Sequence, residues 1–426
     1  MSFEKILLYF AMPYFTVSML FELIYARWKG DKIPIIDTVS SLSSGMTNIL
    51  KGSLGLGLAI VTYDFMLRHL QLFHWSSTPV WMYFVCFIGI DFAGYWTHRI
   101  EHKVNFFWNR HIIHHSSEEF NLACALRQSF SDFVEYFTIF SLPMALLGIP
   151  TMVIGIIAPI QLFMQFWYHT RYIGRLGWLE KIIITPSQHR VHHAMNDIYM
   201  DKNFGQVLAI WDRLFGTYQP ELVEVEPVYG VKRPVRTWNP FIINFKHLYL
   251  IITDAWRTES YRDKLRVWYM PTGWRPADVA EKYPVDYVSD FSTFRKFSPS
   301  YSTAFQTWAF LQMLFSLLMM GFLFYRIDKI SHTETLIYGG FLLASIFAYT
   351  AVMDKKIYGV IAMVIQAALG IALIIRTVDW FGIARIWSSA PVILIVLWVA
   401  SALACVIFML REFDMGHTTR PVESKG

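Results

Sequence analysis

Histidines are the residues of this sequence whose type and spacing are best suited to chemistry. Nine of them lie between residues 98 and 193, in the patterns HRIEH, HIIHH and HRVHH and as one single histidine. Residues three and four positions apart share a face of an α-helix, so each pattern can direct two or three imidazoles toward one point. The nine residues are His98, His102, His111, His114, His115, His169, His189, His192 and His193.

Imidazole is the commonest metal-ligating side chain in proteins. Nine imidazoles exceed the capacity of one ion, but they suit two ions that each keep a position for water or dioxygen. Imidazole binds zinc, copper, iron and nickel, so the ligand type alone does not identify the metal. The sequence therefore predicts a two-metal site. Isolated histidines are interpreted as ordinary structural or surface residues: His69, His74, His247, His332 and His417.

Polar residues near the histidines are candidates to orient the imidazole rings. A ligating histidine usually donates its second ring N–H to a carboxylate or a carbonyl. Asp91 precedes His98 by seven residues, so both share one face of a predicted membrane helix, where an unpaired carboxylate is costly. Asp201, Asn203 and Asp212 follow the last histidine pattern. We predict these four residues as partners of the ligands, with structural hydrogen bonds or turn and cap roles as the alternative.

The composition places these residues in a membrane protein. Hydrophobic residues make up 55% of the 426 residues and charged residues 16%, against about 25% charged in soluble domains. This balance argues against a soluble globular protein, a disordered chain and a coiled coil. The net charge of +5 is scattered, without a basic run typical of nucleic-acid binding. The three cysteines lack the spacing of a disulfide framework or a thiolate zinc site.

About nine membrane spans are predicted, because roughly 20 apolar residues cross a bilayer. The first is interpreted as an anchor rather than a removable signal peptide. We therefore predict an all-α, polytopic membrane protein with a cytoplasmic, histidine-rich helical cap. The spans are Ile6–Ala26, Leu50–Leu67, Val80–Trp96, two short proline-broken helices within Val134–Trp167, Ala304–Tyr325, Thr333–Val352, Tyr358–Thr377 and Ala390–Leu410.

Basic loops indicate the orientation of these spans. Arg27, Lys29 and Lys32 follow the first span, and further basic residues follow the third and fill the polar stretch that ends near residue 300. By the positive-inside rule these regions face the cytoplasm. The predicted organisation is an N-terminal anchor region (1–79), a histidine-rich region (80–220), a cytoplasmic connecting segment (221–302) and a four-helix membrane region (303–426).

The order HxxxH, HxxHH and HxxHH resembles the fatty acid hydroxylase and sterol desaturase superfamily, whose members are integral membrane di-iron oxygenases. The surrounding stretches resemble the branch that cleaves ether lipids such as alkylglycerols with tetrahydrobiopterin. This resemblance covers about residues 80 to 220. It rests on DFAGYWTHRIEH (91–102), HIIHHSSEEFNLACALRQS (111–129), QFWYHTRYIGRLGWLE (165–180), TPSQHRVHHAMN (185–196) and DKNFGQVLAIWDRLFGT (201–217).

The resemblance implies that eight motif histidines ligate two irons and that His169 is a ninth ligand. It further implies oxidation of a lipid C–H bond by dioxygen, with electrons from a reduced pterin or a separate redox protein and no catalytic residue beyond the ligands. Hydroxylation beside an ether oxygen gives a hemiacetal, which separates into an aldehyde and a glycerol derivative. The alternatives are hydroxylation or desaturation of a fatty acid or sterol on the same centre and, from another class, a histidine-rich metal transporter.

Overall fold

The computed structural model describes residues 3–413, and these are almost entirely helical. His417 lies outside the described residues. The chain forms two compact units, one ending at Phe297 and the other beginning at Ser298. Two short strands in the first unit, Leu58–Ala59 and Val134–Glu135, pair in parallel. The predicted all-α class is confirmed for the part of the chain that the structure describes.

Three helices of the first unit carry the histidine patterns. Helix Trp81–Lys103 ends where Val104 adopts an extended conformation (φ −116°, ψ 124°), and helix Asn105–His115 follows at once. Helix Pro186–His193 begins with proline at its first position, where the missing N–H costs nothing. A capping box formed with Thr185 fixes the start of this third helix. Each pattern therefore occupies a helix whose ends are defined by local sequence.

Further elements of the first unit surround these helices. The α-helix Pro240–Arg257 packs on Asn105–His115, where the Nε2 atom of His247 lies 2.8 Å from the carbonyl oxygen of Asn105. The other helical segments are Phe3–Ile6, Leu7–Ala11, Met12–Trp28, Ile35–Ser53, Tyr63–Leu70, Cys124–Leu126, Phe137–Ser141, Leu142–Leu146, Thr151–Phe166, Gly177–Lys181, Ile210–Leu214, Tyr261–Tyr269 and Ala277–Lys282.

Five helices among the described residues are long and apolar enough to cross a membrane. One is Leu7–Trp28, at the predicted N-terminal anchor. The other four lie at the four predicted C-terminal spans: Thr303–Lys329, His332–Met353, Ile357–Thr377 and Ala390–Glu412. The structure thus supports an integral membrane protein with fewer clear spans than the nine predicted.

The prediction of a span at Leu50–Leu67 is wrong. Helix Ile35–Ser53 ends inside this stretch, and a turn, the strand Leu58–Ala59 and the short helix Tyr63–Leu70 follow it. The physical reason is the glycine-rich sequence after Ser53, in which Gly55 adopts a left-handed conformation (φ 64°) that ends a helix. The stretch is apolar enough for a span, but its backbone turns at Gly55, where a membrane helix would have to continue.

The remaining predicted spans form helices of other lengths. Val80–Trp96 is replaced by the longer helix Trp81–Lys103, whose polar C-terminal part carries His98 and His102. The stretch Val134–Trp167 forms short apolar helices separated before Pro150, as expected from its prolines. At about 1.5 Å per residue, these short helices are below the roughly 30 Å thickness of the hydrocarbon core.

Close backbone contact between neighbouring helices characterises the second unit. Gly359 lies against the end of helix His332–Met353, where an added Cβ atom would come within 2.5 Å of the Ala351 carbonyl carbon and of the Val352 nitrogen. Small residues permit this approach between membrane helices. Gly370 gives similar space to the indole of Trp398. Glycine is therefore required where these helices touch.

Replacing Gly359 by Ala should destabilise the protein, because backbone atoms cannot move aside as a flexible side chain can. Overpacking of this kind costs typically about 1–3 kcal/mol. The matched control is Gly340→Ala, since an added Cβ atom at Gly340 meets nothing within 4 Å. Thermal unfolding of both variants in detergent measures the effect. Equal unfolding temperatures for the two variants would contradict the proposed backbone contact.

Candidate metal centre

The nine clustered histidines form two groups in the structure. In each group, one nitrogen atom from every imidazole lies within 4.8 Å of the others. The five-histidine group consists of His98, His102, His111, His115 and His192. The four-histidine group consists of His114, His169, His189 and His193.

Both HxxHH patterns contribute to both groups. In HIIHH, His111 and His115 join the five-histidine group and the intervening His114 points to the other. In HRVHH the arrangement is reversed, because His192 joins the five-histidine group and its neighbours join the four-histidine group. Pairs four residues apart share a helix face, whereas the histidine between them lies on an adjacent face. Two helices therefore contribute complementary sets of imidazoles to both groups.

Backbone carbonyl groups fix the orientation of four imidazoles. The Nδ1 atom of each lies 2.9–3.2 Å from a carbonyl oxygen, at hydrogen-bonding distance. Since a carbonyl oxygen only accepts, Nδ1 carries the proton and Nε2 presents its lone pair. The four pairs are His98 with Phe204, His114 with Arg127, His169 with Gln165 and His192 with Lys202.

The geometry of the four-histidine group fits a bound cation. The Nε2 atoms of His114 and His169 lie 3.2 Å apart, and both rings already donate through Nδ1. Two lone pairs therefore face each other, which is unfavourable unless a positive charge lies between them. Two nitrogens bound to one ion at about 2.1 Å and at a right angle would be separated by roughly 3.0 Å. The spacing in the structure is the spacing that a metal ion requires.

Ring nitrogens without a hydrogen-bond partner indicate that the five-histidine group also fits a bound cation. The Nε2 atoms of His102, His115 and His192 are buried and lack a hydrogen-bond partner among the described residues. The Nε2 atom of His98 lies 3.0 Å from that of His111, although His98 already donates through Nδ1. A buried unsatisfied polar atom is costly. A metal ion bound by these nitrogens would remove that cost.

Burial keeps the imidazoles neutral. Loss of hydration and, as a smaller cause, the neighbouring His169 together lower the pKa of His114 to about 3. Desolvation likewise lowers the pKa of His169 to about 3. Neutral imidazole is the form that binds metals. Both side chains are therefore in their ligating state at neutral pH.

Of the polar residues predicted to contact the ligands, the structure places some beside a histidine and others elsewhere. Asp201 lies near a histidine, with Oδ1 3.7 Å from Nδ1 of His102 and Oδ2 bound to Lys103. Asp91 was wrongly predicted as a histidine partner. Its carboxylate instead accepts hydrogen bonds from the backbone N–H groups of Val207 and Leu208 and from an indole N–H, because a distant loop folds back over this helix.

Asn203 was also wrongly predicted to contact a ligand. Its side-chain amide donates to the carbonyl oxygens of Gln188 and Gln219, and its oxygen accepts from the Gln219 N–H. The backbone of Asn203 is left-handed (φ 54°), a conformation that asparagine tolerates better than most residues. Asn203 therefore holds the loop against the helix that carries His189, and acts on the ligands only through the backbone.

Asp212 acts on a ligand through one peptide group. Its Oδ2 atom accepts from the N–H of Gly205, at 2.8 Å, and the carbonyl of the same peptide, from Phe204, accepts from His98. A carboxylate at the N–H end polarises the peptide and strengthens its carbonyl as an acceptor. An added Cβ atom at Gly205 would lie 2.9 Å from the Asp212 carboxylate and 2.8 Å from the Leu208 carbonyl oxygen. Glycine is therefore required at 205.

Two further polar residues near the ligands were missed by sequence reasoning. Glu101 is buried, with Oε2 3.5 Å from Nδ1 of His111 and Oε1 accepting from Arg110 at 2.8 Å. Arg127, whose carbonyl orients His114, is held by Asp37 at 2.8 Å. Glu101 lies inside the HRIEH pattern, so its closeness to the histidines could have been predicted from the sequence. The pairing with Asp37 joins residues 90 positions apart and left no local signal.

The isolated histidines among the described residues stay outside both groups: His69, His74, His247 and His332. His247 is buried against the Asn105 carbonyl, and burial lowers its pKa to about 4. His74 is exposed. These positions are consistent with their interpretation as ordinary histidines.

Comparison with known proteins gives consistent matches. The family model for fatty acid hydroxylases matches residues 83–217, which include all nine clustered histidines. The chain is 33% identical to the alkylglycerol monooxygenase of Xenopus tropicalis, over 81% of this chain and 77% of that protein. It is 38% identical to the alkylglycerol monooxygenase of Homo sapiens, over 62% of this chain and 59% of that protein. An ornithine lipid hydroxylase, OlsE of Rhizobium tropici, is 32% identical to this chain, over 30% of this chain and 39% of that protein. No solved structure matches the chain.

Replacing His114 by Ala should reduce the metal content of the purified protein. The change leaves three imidazoles in the four-histidine group and five in the other, so we expect a fall from about two metal ions per chain toward one. Elemental analysis by mass spectrometry measures the content. His74→Ala is the control and should keep the wild-type content. Two ions per chain in the His114 variant would contradict the assignment.

Replacing Asp212 by Asn should weaken metal binding in the five-histidine group. The change removes the negative charge that polarises the Phe204–Gly205 peptide. Loss of such an outer partner typically costs about 10–100-fold in metal affinity. Competition with a chelator, followed by metal analysis, should show earlier loss of one of the two ions. Asp197→Asn, at an exposed carboxylate, is the control. Simultaneous loss of both ions would point to general unfolding instead.

Proposed function

The chain belongs to the fatty acid hydroxylase family, in the group of the alkylglycerol monooxygenases, and we propose that it is a membrane monooxygenase that hydroxylates a lipid C–H bond with dioxygen. The observation that carries this proposal is the pair of buried imidazole groups, which combines nine neutral nitrogen ligands within the region that the family model matches. Two irons held there would supply the activation of dioxygen that the oxidation needs.

Side chains around the imidazoles keep water away from the reaction. The ring of Phe204 lies 5.2 Å from the ring of His102 and 5.9 Å from that of His192. Phe120 lies 5.3 Å from His193 and stacks on Tyr229 at 5.0 Å. These rings are largely apolar, so they leave little room for water beside the imidazoles. The protein thus contributes ligand geometry and a dry chamber, while the metal contributes the chemistry.

An ether lipid is the substrate that the relatives favour. Four relatives of this chain are alkylglycerol monooxygenases, from Xenopus tropicalis, Homo sapiens, Danio rerio and Caenorhabditis elegans. In such a substrate the hydroxylated carbon is the one beside the ether oxygen. The hemiacetal formed there releases an aldehyde and a glycerol derivative without further help from the enzyme. We propose this cleavage as the reaction.

Another lipid hydroxylation is the second candidate. The match to an ornithine lipid hydroxylase covers 30% of the chain, and that part therefore also resembles an enzyme named for a different lipid. Fatty acid or sterol hydroxylation or desaturation belongs to the same candidate, because it needs the same ligands and a differently shaped pocket. A metal transporter is disfavoured, since the relatives named above are enzymes.

We place the metal centre on the cytoplasmic side of the membrane. Glu22, near the C-terminal end of helix Leu7–Trp28, accepts a hydrogen bond from Thr170, the neighbour of His169. The centre is therefore close to the helix end at which Arg27, Lys29 and Lys32 lie. Basic residues mark the cytoplasmic side. A cytoplasmic reductant, either tetrahydrobiopterin or a redox protein, would supply the electrons.

Purified protein in detergent, loaded with iron, tests the function. We expect aldehyde from 1-O-hexadecylglycerol in the presence of tetrahydrobiopterin and dioxygen, and none without the pterin. Palmitic acid and cholesterol are the parallel substrates, and His114→Ala is the inactive control. Turnover of a fatty acid or sterol alone would favour the second candidate. Activity that requires a protein reductase and ignores the pterin would exclude the proposed donor.

A further inference from the structure

A cavity of about 290 Å³ lies beside the four-histidine group. One wall is the spanning helix Leu7–Trp28, and the other includes the segment that leads into His169. This volume is at the lower end of the range for small-molecule sites, which are mostly apolar with a few polar groups. Aromatic rings from both walls line the cavity: Tyr14, Phe21, Tyr25, Phe166 and Trp167.

Glu22 is the acidic residue in the lining of this cavity. Glu22 is only 7% exposed, and it belongs to a helix that is long and apolar enough to cross a membrane. A carboxylate within a membrane span costs about 2.5–3.5 kcal/mol on insertion scales, unless partners compensate it, and usually marks a functional site. The residue therefore needs an explanation beyond packing.

The protein supplies two of the hydrogen bonds that Glu22 can accept. Oε1 accepts from the hydroxyl of Thr170 at 2.6 Å, and Oε2 accepts from the backbone N–H of Leu122 at 2.7 Å. A carboxylate offers about four lone-pair sites. Acceptor capacity is thus left over, and the cavity is where a further donor could reach it.

Both partners of Glu22 adjoin the four-histidine group. Thr170 directly follows His169 in the chain. Leu122 lies two residues after Phe120, whose ring stacks on the imidazole of His169 with centroids 6.0 Å apart. A ligand bound beside Glu22 would therefore be held next to the segments that form one wall of the metal centre.

Access to the cavity is from the lipid side. Phe21 and Tyr14, on the spanning helix, are 69% and 44% exposed in the protein. On a membrane-spanning helix such exposed aromatic residues face lipid. An amphiphile could enter from the bilayer without passing through water.

We propose that this cavity binds the hydroxylated glycerol end of an ether lipid, with a lipid hydroxyl donating to the carboxylate of Glu22. This inference rests on the proposed function and names the substrate contact that it leaves open. The apolar rings receive the part of the alkyl chain nearest the headgroup, and Glu22 selects lipids that carry free hydroxyls. A lipid without a hydroxyl would leave the lone pairs of Glu22 unsatisfied, which disfavours its binding.

Two substrates and one substitution test the contact. The substrates are 1-O-hexadecylglycerol and its derivative with both hydroxyls methylated. Wild type should prefer the free diol, and Glu22→Gln should raise KM for the diol about tenfold, as expected for loss of a charged hydrogen bond. KM for the methylated lipid and the iron content should stay unchanged. The control Glu259→Gln, at an exposed position, should match wild type for both lipids.

A second variant separates substrate binding from a structural clamp. Thr170→Val removes one hydrogen bond that ties Glu22 to the protein but leaves its carboxylate in the cavity. If Glu22 binds the diol, Thr170→Val keeps the preference for the diol, whereas Glu22→Gln loses it. If both variants lose activity equally on both lipids, or if Glu22→Gln keeps the preference, the proposal is wrong.

Crosslinking gives a readout that needs no turnover. A photoreactive alkylglycerol with a diazirine near the ether oxygen should label residues 14–25 or 166–173 in wild type, in competition with the free diol but not with the methylated lipid. Labelling elsewhere would overturn the site. Wild type that binds the probe here but releases no aldehyde would refute the proposed function alone, so the two failures are distinguishable.

Discussion

The two histidine groups depend on one constraint, which is the mutual repulsion of imidazole lone pairs. His114 and His169 donate their N–H groups to backbone carbonyls, so their Nε2 atoms face each other at 3.2 Å with no proton to share. Such an arrangement is unstable without a cation. With a cation, the same lone pairs become ligands, and the binding free energy of the metal becomes part of the stability of the fold. We therefore expect folding and metal loading to be coupled in this protein.

The carbonyl groups that orient the imidazoles come from loops, and buried polar side chains hold those loops in place. Asp91 and Asp212 bind backbone N–H groups of the loop that contains Phe204 and Leu208. Arg127 reaches Asp37 from the loop whose carbonyl meets His114. A loop on its own would not hold a carbonyl within a few tenths of an ångström. Charged hydrogen bonds, which are stronger than neutral ones, supply that precision.

Helical spacing made the clustering of eight histidines predictable from sequence, because positions three and four apart share a helix face wherever the helix lies. The ninth, His169, stands alone in the sequence and was included because of the family resemblance. Their division into groups of five and four was not predictable. It depends on how helices Asn105–His115 and Pro186–His193 face each other, and so on contacts between distant residues. The predicted roles of Asp91 and Asn203 failed for the same reason, since their partners belong to segments brought near by folding. Local composition also predicted a span at Leu50–Leu67, where the backbone turns at Gly55.

Asp212 influences His98 through an intervening peptide group rather than by direct contact. A direct carboxylate–imidazole bond would place a negative charge beside the metal and lower its positive field. A peptide group lies between Asp212 and His98. The carboxylate polarises this peptide, which makes its carbonyl oxygen a stronger acceptor for the His98 N–H. Orientation is kept while the charge stays farther from the metal. The two carboxylates that lie nearest an imidazole each also pair with a cation. Asp201 lies 3.7 Å from His102 and binds Lys103, and Glu101 lies 3.5 Å from His111 and binds Arg110. The centre therefore keeps the neutral donor set that its buried imidazoles provide.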